Sequence, residues 1–182
     1  MSADKKTNST DLIIEAMTLA DLDEISELEN MVFTTPWPRG AFEGELTTNA
    51  LARYLVARLN KKIVGYIGIW LIFNEGHITN IAVHPDYRRR GIGDTLLQRL
   101  LSNAKGCSIE SLTLEVRRSN LAAQKLYEKY GFIFTSVRPG YYTDNKEDAL
   151  IYWKQEMDGI EPTDDWIVYE GEEEAEEEEQ NG

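Results

Sequence analysis

The densest positive cluster of the chain, Arg88-Arg89-Arg90, runs straight into Gly91-Ile92-Gly93 and a leucine-rich pattern. That pattern reads as an amphipathic helix from Gly91 to Ala104. Such a junction suits one kind of chemistry. The first N–H groups of a helix have no partner within it, and the helix dipole adds partial positive charge. Glycines there remove the Cβ atoms that would hold a phosphate away from those N–H groups. The arginines add charge and forked donors. The residues therefore predict a seat for a phosphate or pyrophosphate, against the plainer alternative of a solvated turn. A Walker loop is excluded, because no Lys-Ser or Lys-Thr follows Gly93. A dinucleotide fingerprint needs a third glycine where Leu96 stands.

Charge bears on what this seat serves. The formal net charge is −13, but thirteen acids lie between Glu156 and Gly182 with no basic residue among them. Residues 1–155 hold all nineteen Lys and Arg and nineteen acids, so this body is formally neutral and argues against a nucleic-acid surface. Length and the 42% hydrophobic content fit one domain with an ordinary core. One cysteine, Cys107, provides neither a disulfide within the chain nor a cysteine metal site. The polar start carries no signal-peptide pattern, and Ile63 to Phe73 is too short to span a bilayer. The expected compartment is the cytoplasm, with no membrane association and no metal.

The elements that must carry the loop follow from periodicity. A strand is expected at Leu12–Ala16, then a helix at Leu19–Phe33 opened by Thr18 as N-cap with Asp21 three residues on. Thr34 to Gly40 breaks it, and a short helix follows at Ala41–Leu46. Strands at Arg53–Leu59 and Lys62–Phe73 are joined by a hairpin at Asn60-Lys61, and another runs from His77 to Val83. After the Gly91–Ala104 helix come a strand at Ser111–Arg117 and a helix from Ser119, its N-cap, to Tyr130, with Gly131 closing it. Strands at Phe132–Val137 and Asp148–Trp153 end the body. The order β-α-α-β-β-β-α-β-α-β-β indicates an α/β protein with a mixed sheet covered by helices. The expected domain is 11–155, after a flexible N-terminus at 1–10. Residues 156–182 are expected to form an acidic disordered tail, with Trp166 to Tyr169 its one apolar island.

Three segments carry a family resemblance. They are N-I-A-V-H-P-D-Y-R-R-R-G-I-G at 80–93, L-E-V-R-R-S-N-L-A-A-Q-K-L-Y-E-K-Y-G-F at 114–132, and P-G-Y-Y-T-D-N-K-E-D-A at 139–149. Together they resemble the GNAT N-acetyltransferases, and most of all the N-terminal α-amino acetyltransferases of the RimI (ribosomal-protein-alanine) type and their archaeal and eukaryotic relatives. The resemblance covers residues 11–155. It implies the GNAT fold and direct attack of a free amine on bound acetyl-CoA. It also implies protein N-termini as substrates, ribosomal proteins among them, in a monomer or homodimer. It assigns the general base to Glu115 and the general acid to Tyr127. His77 is a second base candidate, since its ordinary pKa near 6.5 suits proton abstraction at neutral pH. For the cofactor it assigns main-chain contacts with the pantetheine arm to Ile81, Ala82 and Val83. The pyrophosphate goes to Arg88, Arg89, Arg90, Gly91, Ile92, Gly93 and Asp94, and a hydrogen bond to the arm goes to Asn120. Asp94 departs from the small or basic residue common there. The peptide is expected between Phe33, Pro36 and Trp37 on one side and Tyr141 and Tyr142 on the other.

Read as residues alone, the chemistry favours a paired surface carboxylate for Glu115 and a core aromatic for Tyr127, and His84 is a structural turn residue. A lysine or small-amine acetyltransferase, or a non-catalytic CoA-binding scaffold, stands as the alternative function. The acid tail raises a regulatory expectation as well, that it screens the basic loop from an anchor at Trp166–Tyr169.

Overall fold

The computed structural model describes residues 12–163 and Trp166. A seven-stranded sheet runs in the order β1-β2-β3-β4-β5-β7-β6. Its strands are β1 Leu12–Ala16, β2 Ala52–Leu59, β3 Lys62–Ile72, β4 Glu75–Val83, β5 Ser111–Arg117, β6 Ile133–Arg138 and β7 Ala149–Lys154. Only β4 and β5 pair in parallel; every other neighbouring pair is antiparallel. Helices α1 Leu22–Val32 and α2 Arg39–Thr47 cover one face, and α3 Ile92–Gly106 and α4 Leu121–Lys129 the other. The expected element order is the observed one.

Local chemistry explains the boundaries. Thr18 and Asp21 form the reciprocal cap expected of them, here ahead of a 3-10 turn at Leu19–Asp21 that leads into α1. Asn60 and Lys61 both adopt positive φ, 52° and 68°, the geometry of a tight two-residue hairpin whose twist matches its strands. Strand β3 is buried from Ile63 to Ile69 because helices pack on both of its faces. One boundary moves. The N-cap of α4 is Asn120, not Ser119, for Asn120 Oδ1 accepts the Ala123 N–H at 3.1 Å while the Ser119 N–H donates to Glu147 at 2.7 Å.

The domain boundary moves as well. The segment after Lys154 does not leave the body at residue 155. Met157 and Trp166 are buried in the core beneath α3, with Ile160 packed against them. Thr163 N–H donates to Ser102 O at 3.1 Å, and Lys105 Nζ donates to Met157 O at 2.9 Å. Met157 and Ile160 stand singly among acids and escape a reading by composition, whereas Trp166 opens the apolar island seen in the sequence; all three join the core cluster that includes α3. Residues 1–11, 164–165 and 167–182, and with them the expected N-terminal flexibility and tail disorder, lie outside the described residues.

Ending the chain at residue 155 removes three apolar anchors from α3. The expected cost is at least ~2 kcal/mol, given what a single buried large-to-small change costs, seen as a lower melting temperature than that of the full chain.

Candidate active site

Strands β4 and β5 stay together only from Glu75↔Ser111 to Ile78↔Leu114 and then part. The cause lies in β4. Against β3, Asn80 faces Gly68 and Ile78 faces Ile69, so Thr79 is an extra residue in a bulge. A bulge bends the strand that holds it. The opened wedge is a cavity of about 330 Å³ lined by Glu29, Phe33, Thr35 and Trp37 on one side, by Ile81, Asn120 and Tyr127 on another, and by Glu115, Tyr141 and Tyr142.

The wedge exposes main chain. His84 N–H bonds Val64 O at 2.8 Å, so strand alternation turns Ala82 toward β3 and turns Ile81 and Val83 toward the open side. Arg88 Nε donates to Val83 O at 3.2 Å from that open side. Ile81 and Val83 therefore fit the expected arm contacts. Ala82 does not, because its main-chain groups are directed at β3 and its side chain is buried.

The arginine-glycine loop meets the requirements of an anion seat. Gly91 is the N-cap of α3 at φ 77° and has no side chain to cap it. The first bonded N–H is that of Thr95, to Gly91 O at 2.9 Å, which leaves Ile92, Gly93 and Asp94 with helix-start N–H groups. Ile92 anchors the turn by burying its side chain. A Cβ on Gly91 would meet nothing within 4 Å, and one on Gly93 only side chains at 3.6 Å or more. Arg88, Arg89 and Arg90 are exposed, with Arg90 5.1 Å above the Tyr87 ring. Asp94, the departure from the family pattern, is ion-paired with Lys129 of α4, which offsets its charge beside the loop. His84 is structural, since it is buried, accepts the Asp86 N–H at 3.2 Å and packs edge-on to Tyr87.

Glu115 and Tyr127 both reach the cavity, from β5 and α4. Glu115 Oε2 lies 2.6 Å from His77 Nε2, and its other oxygen 3.4 Å from Arg138. The bond from His77 first of all, and the Arg138 charge after it, hold the carboxyl below its ordinary value despite burial. His77 is not among the residues lining the cavity; it meets Glu115 from behind, with its ring packed edge-on to Trp70. Tyr127 is buried, and burial pushes its phenol well above the ordinary tyrosine value. The phenol keeps its proton at any working pH. Asn120 spends Oδ1 on capping α4, so any bond it gives the arm comes from Nδ2.

On the peptide side, Phe33, Trp37, Tyr141 and Tyr142 line the cavity as expected, whereas Pro36 does not. Tyr142 is stacked under Arg117, whose guanidinium lies 3.9 Å from the ring centroid, and burial raises its pKa to about 12. Arg117 also holds Asp144 at 2.9 Å and Glu147 at 3.2 Å, and Thr34 donates to Asp144 at 2.8 Å. The α1–α2 and β6–β7 connections are therefore tied together across the site. Sequence reading missed this bridge, and it missed Glu29. That carboxylate is 1% exposed, accepts from the Tyr66 hydroxyl and from the Trp37 N–H at 2.9 Å, and is raised by burial. Asn80 Nδ2 extends the network to Tyr66 at 2.6 Å. A lone glutamate among α1 apolar positions was the only available signal.

Residues 22–132 match the acetyltransferase (GNAT) family. A Bacillus subtilis (strain 168) relative named for [ribosomal protein bS18]-alanine N-acetyltransferase activity is 42% identical over 144 residues, 79% of this chain and 95% of its own length. The Escherichia coli (strain K12) [ribosomal protein bS18]-alanine N-acetyltransferase is 36% identical over 142 residues, 76% of this chain and 93% of its own. The crystal structure of the Escherichia coli ribosomal-protein-S18-alanine N-acetyltransferase superimposes with a TM-score of 0.75 at 29% identity, covering 87% of this chain and all of the other. The chain belongs to the GNAT acetyltransferase family. It is an acetyl-CoA-dependent N-acetyltransferase.

Gly93→Ala adds a Cβ that the protein tolerates but that intrudes on the anion seat. It is expected to weaken CoA binding about tenfold, ~1.4 kcal/mol, with little change in melting temperature. Gly91→Ala must also bear its positive φ, at about 1 kcal/mol, so calorimetry and thermal melts separate the two. A carboxyl held low by its partners stabilises the fold above its unfolded pKa, near 4.3, and that contribution is lost as pH falls through the lower folded value. The acid-side fall in melting temperature is therefore expected to be shallower in Glu115→Gln than in the parent enzyme.

Proposed function

We propose that this enzyme acetylates the free α-amino group of protein N-termini, with the N-terminal alanine of a ribosomal protein as the first substrate to test. The observation that carries the reading is the convergence of Glu115 and Tyr127 on one cavity whose outer wall is an aromatic-lined cleft tied across by Thr34 and Asp144. Similarity to relatives named for ribosomal-protein-alanine acetylation supports the same substrate.

The chemistry asks little of a base. A peptide α-amine has a pKa near 7.7–8.0, so on the order of a tenth is neutral at pH 7, whereas lysine near 10.4 is almost fully protonated. Glu115, held low, does not keep a proton for long. It accepts one from the ammonium, directly or through a water, and His77 at 2.6 Å, with its side chain 30% exposed, offers the way out to solvent. The neutral nitrogen attacks the thioester carbon, and as the C–S bond breaks the departing thiolate takes the proton of Tyr127, while the proton shed by the new amide nitrogen returns, directly or through a water, to the phenol. The helix-start N–H groups of α3 and the strand edge at Ile81 and Val83 would hold the pyrophosphate and arm of acetyl-CoA.

The decisive measurement is mass spectrometry of peptides with free and blocked N-termini, with and without internal lysines. Acetylation of the free α-amine alone is expected. Modification confined to lysine would overturn the reading, and no transfer would favour a CoA-binding scaffold. Glu115→Gln and Tyr127→Phe are expected to lower kcat by at least ~100-fold, with CoA affinity changed far less.

A further inference from the structure

The helical cover of the sheet face that carries Glu115 stops short. Trp70 marks its limit, where α2 ends its reach with Glu45 accepting the Trp70 indole N–H at 2.6 Å. Beyond it, Trp70, His77, Thr113, Trp153 and Ile133 stand opposite one another on five neighbouring strands, β3, β4, β5, β7 and β6. Cross-strand partners share a face, so these five side chains form one transverse row. The first four are half-buried, and Ile133 is 68% exposed. Neither Trp153 nor Ile133 belongs to either core cluster. The Thr113 hydroxyl is spent on Tyr152 O at 3.1 Å, so the row offers indole, imidazole and methyl surface with few free polar groups.

We infer that this row is an extended binding strip for the substrate polypeptide beyond its first residues. The inference rests on the N-terminal acetylation proposed above. The row is continuous with the active site, because Thr113 and Glu115 lie on the same strand face two residues apart, about 7 Å, and His77 belongs to the row while bonding Glu115. The cavity's outer wall, built from Phe33 and Trp37 beside α1 and α2, lies on this same face. A chain whose α-amine sits at Glu115 can therefore continue over the row without crossing the sheet. Size favours an extended segment over a folded partner or a second copy. Five strands span roughly 19 Å, about six extended residues, while one line of half-buried side chains falls well short of the roughly 800 Å² per partner of a stable protein interface. All but β6 are interior strands, so the strip offers no free main-chain ladder there and would bind through apolar side-chain contact. It would favour N-termini that are extended for about ten residues and carry apolar side chains after the third.

The test is a length series of peptides that begin with Ala, share their first four residues, and run to 4, 8 and 12 residues with apolar side chains after position three. The kcat/KM for α-amine acetylation is expected to rise at least tenfold from 4 to 12 residues, mostly through KM. In Trp153→Ala and in the milder, exposed-site Ile133→Ser, the ratio of the 12-residue to the 4-residue value is expected to fall toward one. The ratio is internal to each variant, so a partly unfolded preparation does not mimic the result. A ratio near one in the unaltered enzyme, or one retained in both variants, overturns the strip while leaving N-terminal acetylation standing. No α-amine acetylation at any length overturns both. Variants that dissociate a dimer with the ratio unmoved would make the face a contact between copies and also overturn the proposal.

Discussion

The parting of β4 from β5 is the constraint on which the rest depends. One inserted residue, Thr79, bends β4 where its pairing with β5 ends at Ile78↔Leu114. Antiparallel partners hold the two strands from outside, β3 on one flank and β7 on the other, so the gap is kept open. Strand edges inside a protein are costly unless their N–H and C=O groups find partners. The edge at Ile81 and Val83, where Arg88 already bonds the Val83 carbonyl, would suit a ligand that pairs as a strand does, such as the amide-bearing arm of coenzyme A. The same parting lets Glu115 and Tyr127 line one cavity.

Within this frame, environment separates groups that the sequence leaves alike. Glu115 and Glu29 are both glutamates at the cavity, but His77 and Arg138 hold the first low while burial raises the second. One is disposed to stay ionised beside an incoming ammonium, and the other ties the Trp37 backbone to Tyr66. Tyr127 sits in a site that disfavours its anion, so the phenol holds its proton there and can give it up only if it is quickly reprotonated. The Asp94–Lys129 pair shows the same economy, since it removes an acid's charge from beside the phosphate seat.

Much of this was legible before any coordinates. The order of elements, the hairpin at Asn60-Lys61 and the cap at Thr18 rest on short-range rules, and they hold. Motif positions named Glu115, Tyr127 and Asn120, which line one cavity; the loop at 88–94 is not part of that lining. Other features depend on partners distant in the chain. Asn120 and Ser119 are equally good caps by type, and only the pull of Glu147 on the Ser119 N–H decides between them. Ala82 was named with its neighbours because a motif is contiguous, whereas a strand alternates. The segment past Lys154 read as tail because acids dominate it, yet Met157 and Trp166 join the core cluster that includes α3.

By itself, then, the sequence determined which segments become helix or strand and which residues bring chemistry, because propensity, periodicity and motif spacing act within a few residues. The tertiary structure alone decided that His77 bonds Glu115 without lining the cavity, that Glu29 is buried at the site, that Thr34 bonds Asp144 between two connections, and that register lines up Trp70, His77, Thr113, Trp153 and Ile133 in one row. Each of these joins residues brought together by sheet register and helix packing, and a pairing fixed by register has no local signature along the chain.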